Sequence, residues 1–314
     1  MPNMDDPILI IGAGPASLAA AVELSKAGHS IKLIEKQSKV GGLAKTYKYE
    51  EDGKVFLTDN GPHRFFSKNK YLYDFVEDLI GEQWIPVKRQ TRQFIDGKFY
   101  NYPIDIKQAL RNLGILKSIR IVWDYFIAQI RYKIFKKEIK SFTDYIVANF
   151  GRTLGEFNMI NYTEKIWGVD ATTIHPDMAR QRIKGLNLIS AVSEALLRAL
   201  KIKNKAKPKS LVDVFYYPDM GTGLIYEAAK DKLDEKGVDI HVNSHPIRIN
   251  HNNNKIISAE VNIEGEQKLF ETPQLVESIH VKDFIKLLSP QVPEEVIAAN
   301  KKLRYRSQVY LFVT

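Results

Sequence analysis

The chain of 314 residues contains no cysteine. Disulfides, thiolate metal sites and cysteine nucleophiles are therefore excluded, and no metal site is expected. Long apolar runs are missing too: none reaches the roughly 18 residues that would span a bilayer. The first residues, Met1 to Asp6, offer neither a basic segment nor an extended apolar one. No signal peptide is read there, and a cytoplasmic location is expected. No segment repeats with a period of roughly 20–50 residues, and no nucleic-acid-binding motif is present, so no nucleic-acid partner is expected. What the chain does have is a hydrophobic fraction of 44%, with 15 Tyr and 15 Phe, which is ample for a folded core. Single cores stop growing at about 250–300 residues, so two domains are expected. Lys and Arg outnumber Asp and Glu by 46 to 37, a net charge of +9 that favours anionic partners.

The most informative stretch is residues 8–46. Ile8-Leu9-Ile10-Ile11 is a short apolar run followed at once by Gly12-Ala13-Gly14-Pro15-Ala16-Ser17. Leu18 to Leu24 then reads as a helix, and a second apolar run, Ile31 to Ile34, ends on Glu35. Strand, glycine turn, helix, strand and acid, in that order, make a dinucleotide-binding βαβ unit. Gly12 permits the tight turn, and Gly14 lets a pyrophosphate approach the backbone at the positive end of the helix. Glu35 is placed to accept hydrogen bonds from an adenosine ribose. Ser17 stands where the fingerprint has its third glycine, and a small residue still permits close helix–strand packing. Lys36 to Lys39 lead to a glycine pair, Gly41-Gly42, followed by Leu43. That pair brings a second length of backbone to the nucleotide.

Further along, residues 68–80 carry a helical apolar stripe, and Trp84 to Tyr102 reads as strands around an Asp96-Gly97 turn. Residues 105–140 read as helix, with Ile115, Leu116, Ile119, Val122, Trp123, Phe126, Ile127 and Ile130 supplying apolar faces among basic residues. The expected role is a helical substrate domain with a solvated basic face, and a peripheral membrane contact is the alternative. Residues 201–209 read as a basic linker. Helices are expected over roughly 224–236, 281–288 and 293–302, with short strands at 238–242, 247–249 and 256–261, an asparagine turn at 250–254 and a terminal strand at 308–314. The expected class is α/β in two domains, a Rossmann-like βαβ nucleotide domain and a mixed helical and antiparallel substrate domain. The nucleotide domain would comprise 1–90 and 210–280, and the substrate domain 91–209 and 281–314.

Beyond these patterns the sequence resembles the two-domain FAD enzymes, the clan of amine oxidases, protoporphyrinogen oxidases, phytoene desaturases and UDP-galactopyranose mutases. The resemblance rests on the βαβ unit with its glycine pair. It rests also on Gly61-Pro62-His63-Arg64-Phe65-Phe66-Ser67-Lys68-Asn69, on Asp96 to Ile104, and on Tyr162-Thr163-Glu164-Lys165-Ile166-Trp167-Gly168, all three being similar to mutase segments. It implies FAD as cofactor, held by Gly12, Gly14, Pro15, Ala16, Ser17, Glu35, Lys36, Gly41, Gly42, Leu43 and Gly61. It implies His63 beside the flavin as the catalytic candidate, able to bond the ring or move a proton near neutral pH. It implies Tyr162 and Trp167 on the substrate side, with Arg180 or Arg182, about a dozen residues beyond the Trp-Gly pair, clamping a diphosphate. The expected function is an FAD-dependent oxidoreductase of the mutase-like branch acting on a small molecule, including a sugar nucleotide. The alternatives are a non-redox UDP-galactopyranose mutase that uses reduced flavin as nucleophile, and a degenerate flavin-binding scaffold. Oligomeric state is left open.

Four places depart from the clan pattern. Leu43 stands where an Arg usually follows the glycine pair. Tyr217 to Leu224 is closer to the glycine turn of protoporphyrinogen oxidases and desaturases than to the mutases. Ser278-Ile279-His280 lacks the usual proline. The last residues, Val309 to Val313, form an apolar run where the resemblance implies a long further segment, so truncation is expected.

Overall fold

The computed structural model describes residues 6–61, 63–88, 90–102, 106–182, 214–253 and 255–313. In chain order its elements are β1 Ile8–Ile11, α1 Pro15–Lys26, β2 Ile31–Ile34, β3 Thr46–Glu51, β4 Lys54–Asp59, α2 Lys70–Ile80, β5 Trp84–Lys88, β6 Thr91–Ile95 and β7 Lys98–Tyr102. Then come α3 Ile106–Gln129, α4 Phe142–Phe150, α5 Arg152–Gly155, α6 Asn161–Trp167 and α7 Pro176–Arg182. The remainder is β8 Val214–Pro218, α8 Gly223–Glu235, β9 Asp239–His241, β10 Ser244–Asn252, β11 Lys255–Ile263, β12 Glu266–Glu271, β13 Leu275–Glu277, α9 Val281–Leu287, β14 Leu288–Ser289 and α10 Glu294–Lys302. The chain divides into two compact units, Met1–Val87 with Phe215–Thr314, and Lys88–Val214.

Strand alternation explains the layering of the first unit. Side chains of β1 point alternately to opposite faces of its sheet. Ile8 and Ile10 join Leu18, Ala21, Val22, Leu33, Ala229 and Leu233 in a core formed with α1 and α8. Leu9 and Ile11 join Ile34, Ile249, Ala259 and Val261 in a second core with β10 and β11. The sheet between these cores has the order β13-β1-β2-β9, with every pair parallel. The other sheet, β12-β11-β10-β14, is a meander to which the short β14 adds in parallel. A parallel sheet covered on both faces reads as continuous apolar strands, as β1 does. Each fully buried Leu or Ile there contributes about 1.5–3 kcal/mol.

The C-terminal stretch differs from expectation. Residues 281–314 belong with the first unit rather than with 88–214. The reason is local: Leu288 and Ser289 pair with Ile249 and Asn250, and Phe284, Leu287 and Leu288 pack on the second core. Residues 308–313 form no strand, because no ladder pairs with them among the described residues. The asparagine run is mostly ladder: His251 pairs with Ile256 and Asn252 with Lys255. Two hairpins escaped the sequence reading, β3–β4 around Asp52-Gly53 and β11–β12 around Glu264-Gly265. Both turns carry the same acid-glycine signal as Asp96-Gly97, where β6 and β7 pair as expected.

In the second unit Phe142, Ile146, Phe150, Ile160, Ala171 and Ala179 form the core. Ser141 caps α4 by accepting the Asp144 N–H at 3.1 Å. Asp144 in turn accepts bonds from Lys137 at 2.7 Å and Tyr132 at 2.8 Å. Burial pushes the Asp144 carboxyl up, but these bonds outweigh it and bring its pKa down to about 2. α3 is broken at Gly114, whose φ of 75° is non-helical. Its expected apolar faces are not core: Leu116 is 82% exposed, and Ile115, Ile119, Trp123 and Phe126 are exposed as well. The helix instead buries the opposite side, through Ile121 and Ala128. Among the described residues, no helix is long and apolar enough to cross a membrane. The basic linker at 201–209 lies outside the described residues.

Candidate functional site

The first glycine turn is built as its sequence requires. Gly12 has φ +92°, and its N–H donates to the Ile34 carbonyl at 2.8 Å. A Cβ there would lie 2.9 Å from Ser278 Oγ. α1 begins at Gly14 with Pro15 in its first turn, and no side chain caps it. An uncapped helix start leaves N–H donors and positive dipole facing outward, which suits an anion. The residue in place of the third glycine has a partner: Ser17, fully buried, donates to Ser278 Oγ at 2.7 Å. The hydroxyl in place of the third glycine thus ties α1 to the end of β13.

Glu35 is buried at the end of β2. Its carboxylate accepts the Ala13 N–H at 2.7 Å and the Gln37 N–H at 2.8 Å. A carboxylate held against the glycine turn is poised to receive ribose hydroxyls. The glycine pair closes on the same turn. Gly41 donates to the Ala13 carbonyl at 2.7 Å, and a Cβ on Gly42, φ +55°, would stand 3.1 Å from Gly14 Cα. Backbone therefore meets backbone, a closeness that only glycine allows. Lys36, Pro15, Ala16 and Leu43 are exposed beside this cradle.

A second polar cluster escaped the sequence reading. Asp59, at the end of β4, accepts the hydroxyls of Thr46 at 2.5 Å, Thr222 at 2.6 Å and Tyr217, and also the Thr222 N–H at 3.1 Å. Burial alone would raise its pKa, but the bonds from Thr222, Thr46 and Tyr217 hold it below the usual carboxylate range. Burial and the Asp59 contact push the Tyr217 phenol up to about 12. Gly221 and Gly223 sit against Thr46 so closely that a Cβ on either would overlap it, at 2.4 and 2.6 Å. Asp59 thus fastens the strand after the glycine pair to the start of α8. Its partners Tyr217 and Thr222 lie 158 and 163 residues away, too far for any local pattern to show.

Gly61 follows directly, with φ +98°, and a Cβ there would lie 2.7 Å from the Tyr310 hydroxyl. His63 is half-buried, its Nε2 3.2 Å from the Asn60 carbonyl. Phe65 of the same motif is structural: its ring meets Tyr73 and Trp84 edge-on at 5.2 Å. Pro62 lies outside the described residues.

The substrate-side residues make no direct contact with one another among the described side chains. Tyr162 and Trp167 are both exposed and stand five positions apart on α6, so they emerge about 140° from one another. Arg180 is paired with Asp177 of its own helix at 2.8 Å. Among the described residues no hydrogen bond, ion pair or ring contact links Tyr162, Trp167 and Arg180. The Arg182 side chain lies outside the described residues.

Residues 10–79 match the model of the NAD(P)-binding Rossmann-like domain. The fold is similar to that of a reduced UDP-galactopyranose mutase, with TM-score 0.76 and 22% identity over 96% of this chain and 62% of that one. The chain shares the fold of that mutase. A candidate protoporphyrinogen oxidase from Exiguobacterium sp. aligns with TM-score 0.63 and 16% identity, covering 93% of this chain and 63% of that one. In sequence, the L-amino-acid oxidase of Demansia vestigiata is 21% identical over 98% of this chain. The chain spans 57% of the length of that oxidase. The glycine cradle with its buried acid fits the adenosine diphosphate half of FAD, because a Cβ at Gly42 would fill the space against Gly14.

Proposed function

We propose that this protein is an FAD-dependent oxidoreductase of the amine oxidase clan, acting on a small anionic substrate. The observation that carries the reading is the closed cradle of Gly12, Gly14, Gly41 and Gly42 with Glu35 at its edge. Gly12 and Gly14 meet the pyrophosphate, Glu35 the ribose hydroxyls, and Gly61 and His63 the flavin side. FAD held there would supply two-electron oxidation of the substrate, with an external acceptor needed to take up the electrons. Tyr162, Trp167, Arg180 and Arg182 are the substrate-side groups, and a net charge of +9 raises the local concentration of anions around them.

A UDP-sugar mutase is the second reading. It is favoured by the TM-score of 0.76 to the mutase against 0.63 to the candidate protoporphyrinogen oxidase. One experiment separates them. Protein loaded with FAD is reduced with dithionite and incubated with UDP-galactopyranose in the absence of an acceptor. Interconversion with the furanose isomer selects the mutase. Substrate turnover only when an acceptor is present selects the oxidoreductase. Neither reaction across a panel of amine, porphyrinogen and sugar-nucleotide substrates returns the protein to a flavin-binding scaffold.

A further inference from the structure

Lys45 is a buried cation in the wall of the cradle. Only 6% of it is exposed, and its stem lies 3.3 Å from where a Cβ on Gly41 would be. Its ammonium donates to Gln37 Oε1. An ammonium offers three donors, and among the described residues Lys45 has no ion pair. Glu35 is the nearby carboxylate, and its two oxygens accept the Ala13 and Gln37 N–H groups. Burying an ammonium against a neutral amide alone is costly. Burial accordingly pulls its pKa down, while the charge of Glu35 pushes it back. The stem of this buried cation packs on Gly41, whose N–H bonds the glycine turn at Ala13, so an anionic ligand in the cradle would complement its charge. Two positions earlier Leu43 is 73% exposed and brings no charge.

We propose that Lys45 binds the diphosphate of the bound dinucleotide, supplying from the end of the glycine-pair loop the cation that Leu43 does not. This rests on the reading of the cradle as the FAD adenosine diphosphate site. It predicts that the ligand's charge, not its ring, is what Lys45 senses.

The test compares ADP with adenosine on the whole chain, each measured by competition against FAD uptake. Lys45→Met is expected to weaken ADP and FAD about tenfold or more and to leave adenosine within about twofold. Lys45→Arg is expected to restore most of the ADP affinity, and the loss of ADP affinity with added salt is expected to be shallower in Lys45→Met. A role in packing alone moves ADP and adenosine together, and that result overturns the proposal. So does an ADP affinity unchanged in Lys45→Met. Should that variant fail to fold, Lys45→Gln is measured in its place against the same outcomes. Wild-type protein that binds neither FAD nor ADP fails the cradle reading itself, whereas wild-type binding with an indifferent Lys45 fails only this assignment.

Discussion

The glycine cradle and the helical unit realise their sequence motifs in opposite ways. In the cradle the motif residues meet partners: Ser17 bonds Ser278, and the glycine pair locks onto Ala13 and Gly14. In the unit Lys88–Val214 the motif residues stand apart: Tyr162 and Trp167 are exposed, and Arg180 is paired within its own helix. Motifs that act through backbone closeness determine their own geometry. Motifs that act through long side chains on short helices do not, because the helix fixes only their direction.

Two glycines with positive φ put that contrast to the sharpest test. Gly42→Ala adds left-handed strain and a Cβ 3.1 Å from Gly14 Cα, whereas Gly97→Ala adds the strain in open space. Gly97→Ala is expected to cost about 1–2 kcal/mol, and Gly42→Ala about 2–4 kcal/mol together with FAD uptake. Urea unfolding and flavin absorbance check both, and equal costs would remove the cradle's special standing.

Asp59→Asn comes next in size. Losing charged acceptance from three hydroxyls is expected to cost about 1.5–3 kcal/mol. Thr46→Val and Tyr217→Phe should each reproduce part of the loss, and a double-mutant cycle with Asp59→Asn should show coupling.

Each unit holds a shifted group that makes stability depend on pH. Asp144 has its folded pKa depressed to about 2, so its contribution is complete above about pH 4 and disappears as pH falls toward 2. It amounts to about 2 kcal/mol, and Asp144→Asn should flatten that acid limb. Asp59 acts in the same direction in the first unit. Tyr217, raised to about 12, contributes fully below about pH 10 and loses its contribution as pH rises toward 12. Tyr217→Phe should reduce the alkaline limb in denaturation curves recorded from pH 9 upward.

Arg180→Ala marks the small end. Its guanidinium forms an exposed pair with Asp177. Thermal melts are expected to shift by no more than about 0.5 kcal/mol equivalent. A larger loss would show that the helical unit does depend on its motif residues.

What the sequence showed depended on range. β1, α1, β2 and Glu35 were legible because glycine positions and alternation encode contacts within one βαβ unit. α2, α8, α9 and α10 were legible from helical periodicity and end signals. Residues 281–314 went to the wrong unit because the pairing of Leu288 with Ile249 is long-range. Asp59 went unnoticed for the same reason, and Lys45 because burial of a lysine has no signature in its neighbours. The apolar stripe from Ile115 to Phe126 misled in another way: periodicity shows that a helix has an apolar face, not that anything covers it.

The most direct measurement is FAD titration of the full chain, followed by quenching of flavin fluorescence. Saturable binding is expected, competed by ADP, weakened in Glu35→Ala and Gly42→Ala, and unchanged in Arg180→Ala. No uptake by folded wild-type protein, or binding that survives Gly42→Ala and fails in Arg180→Ala, would contradict the assignment of the cradle as the FAD site.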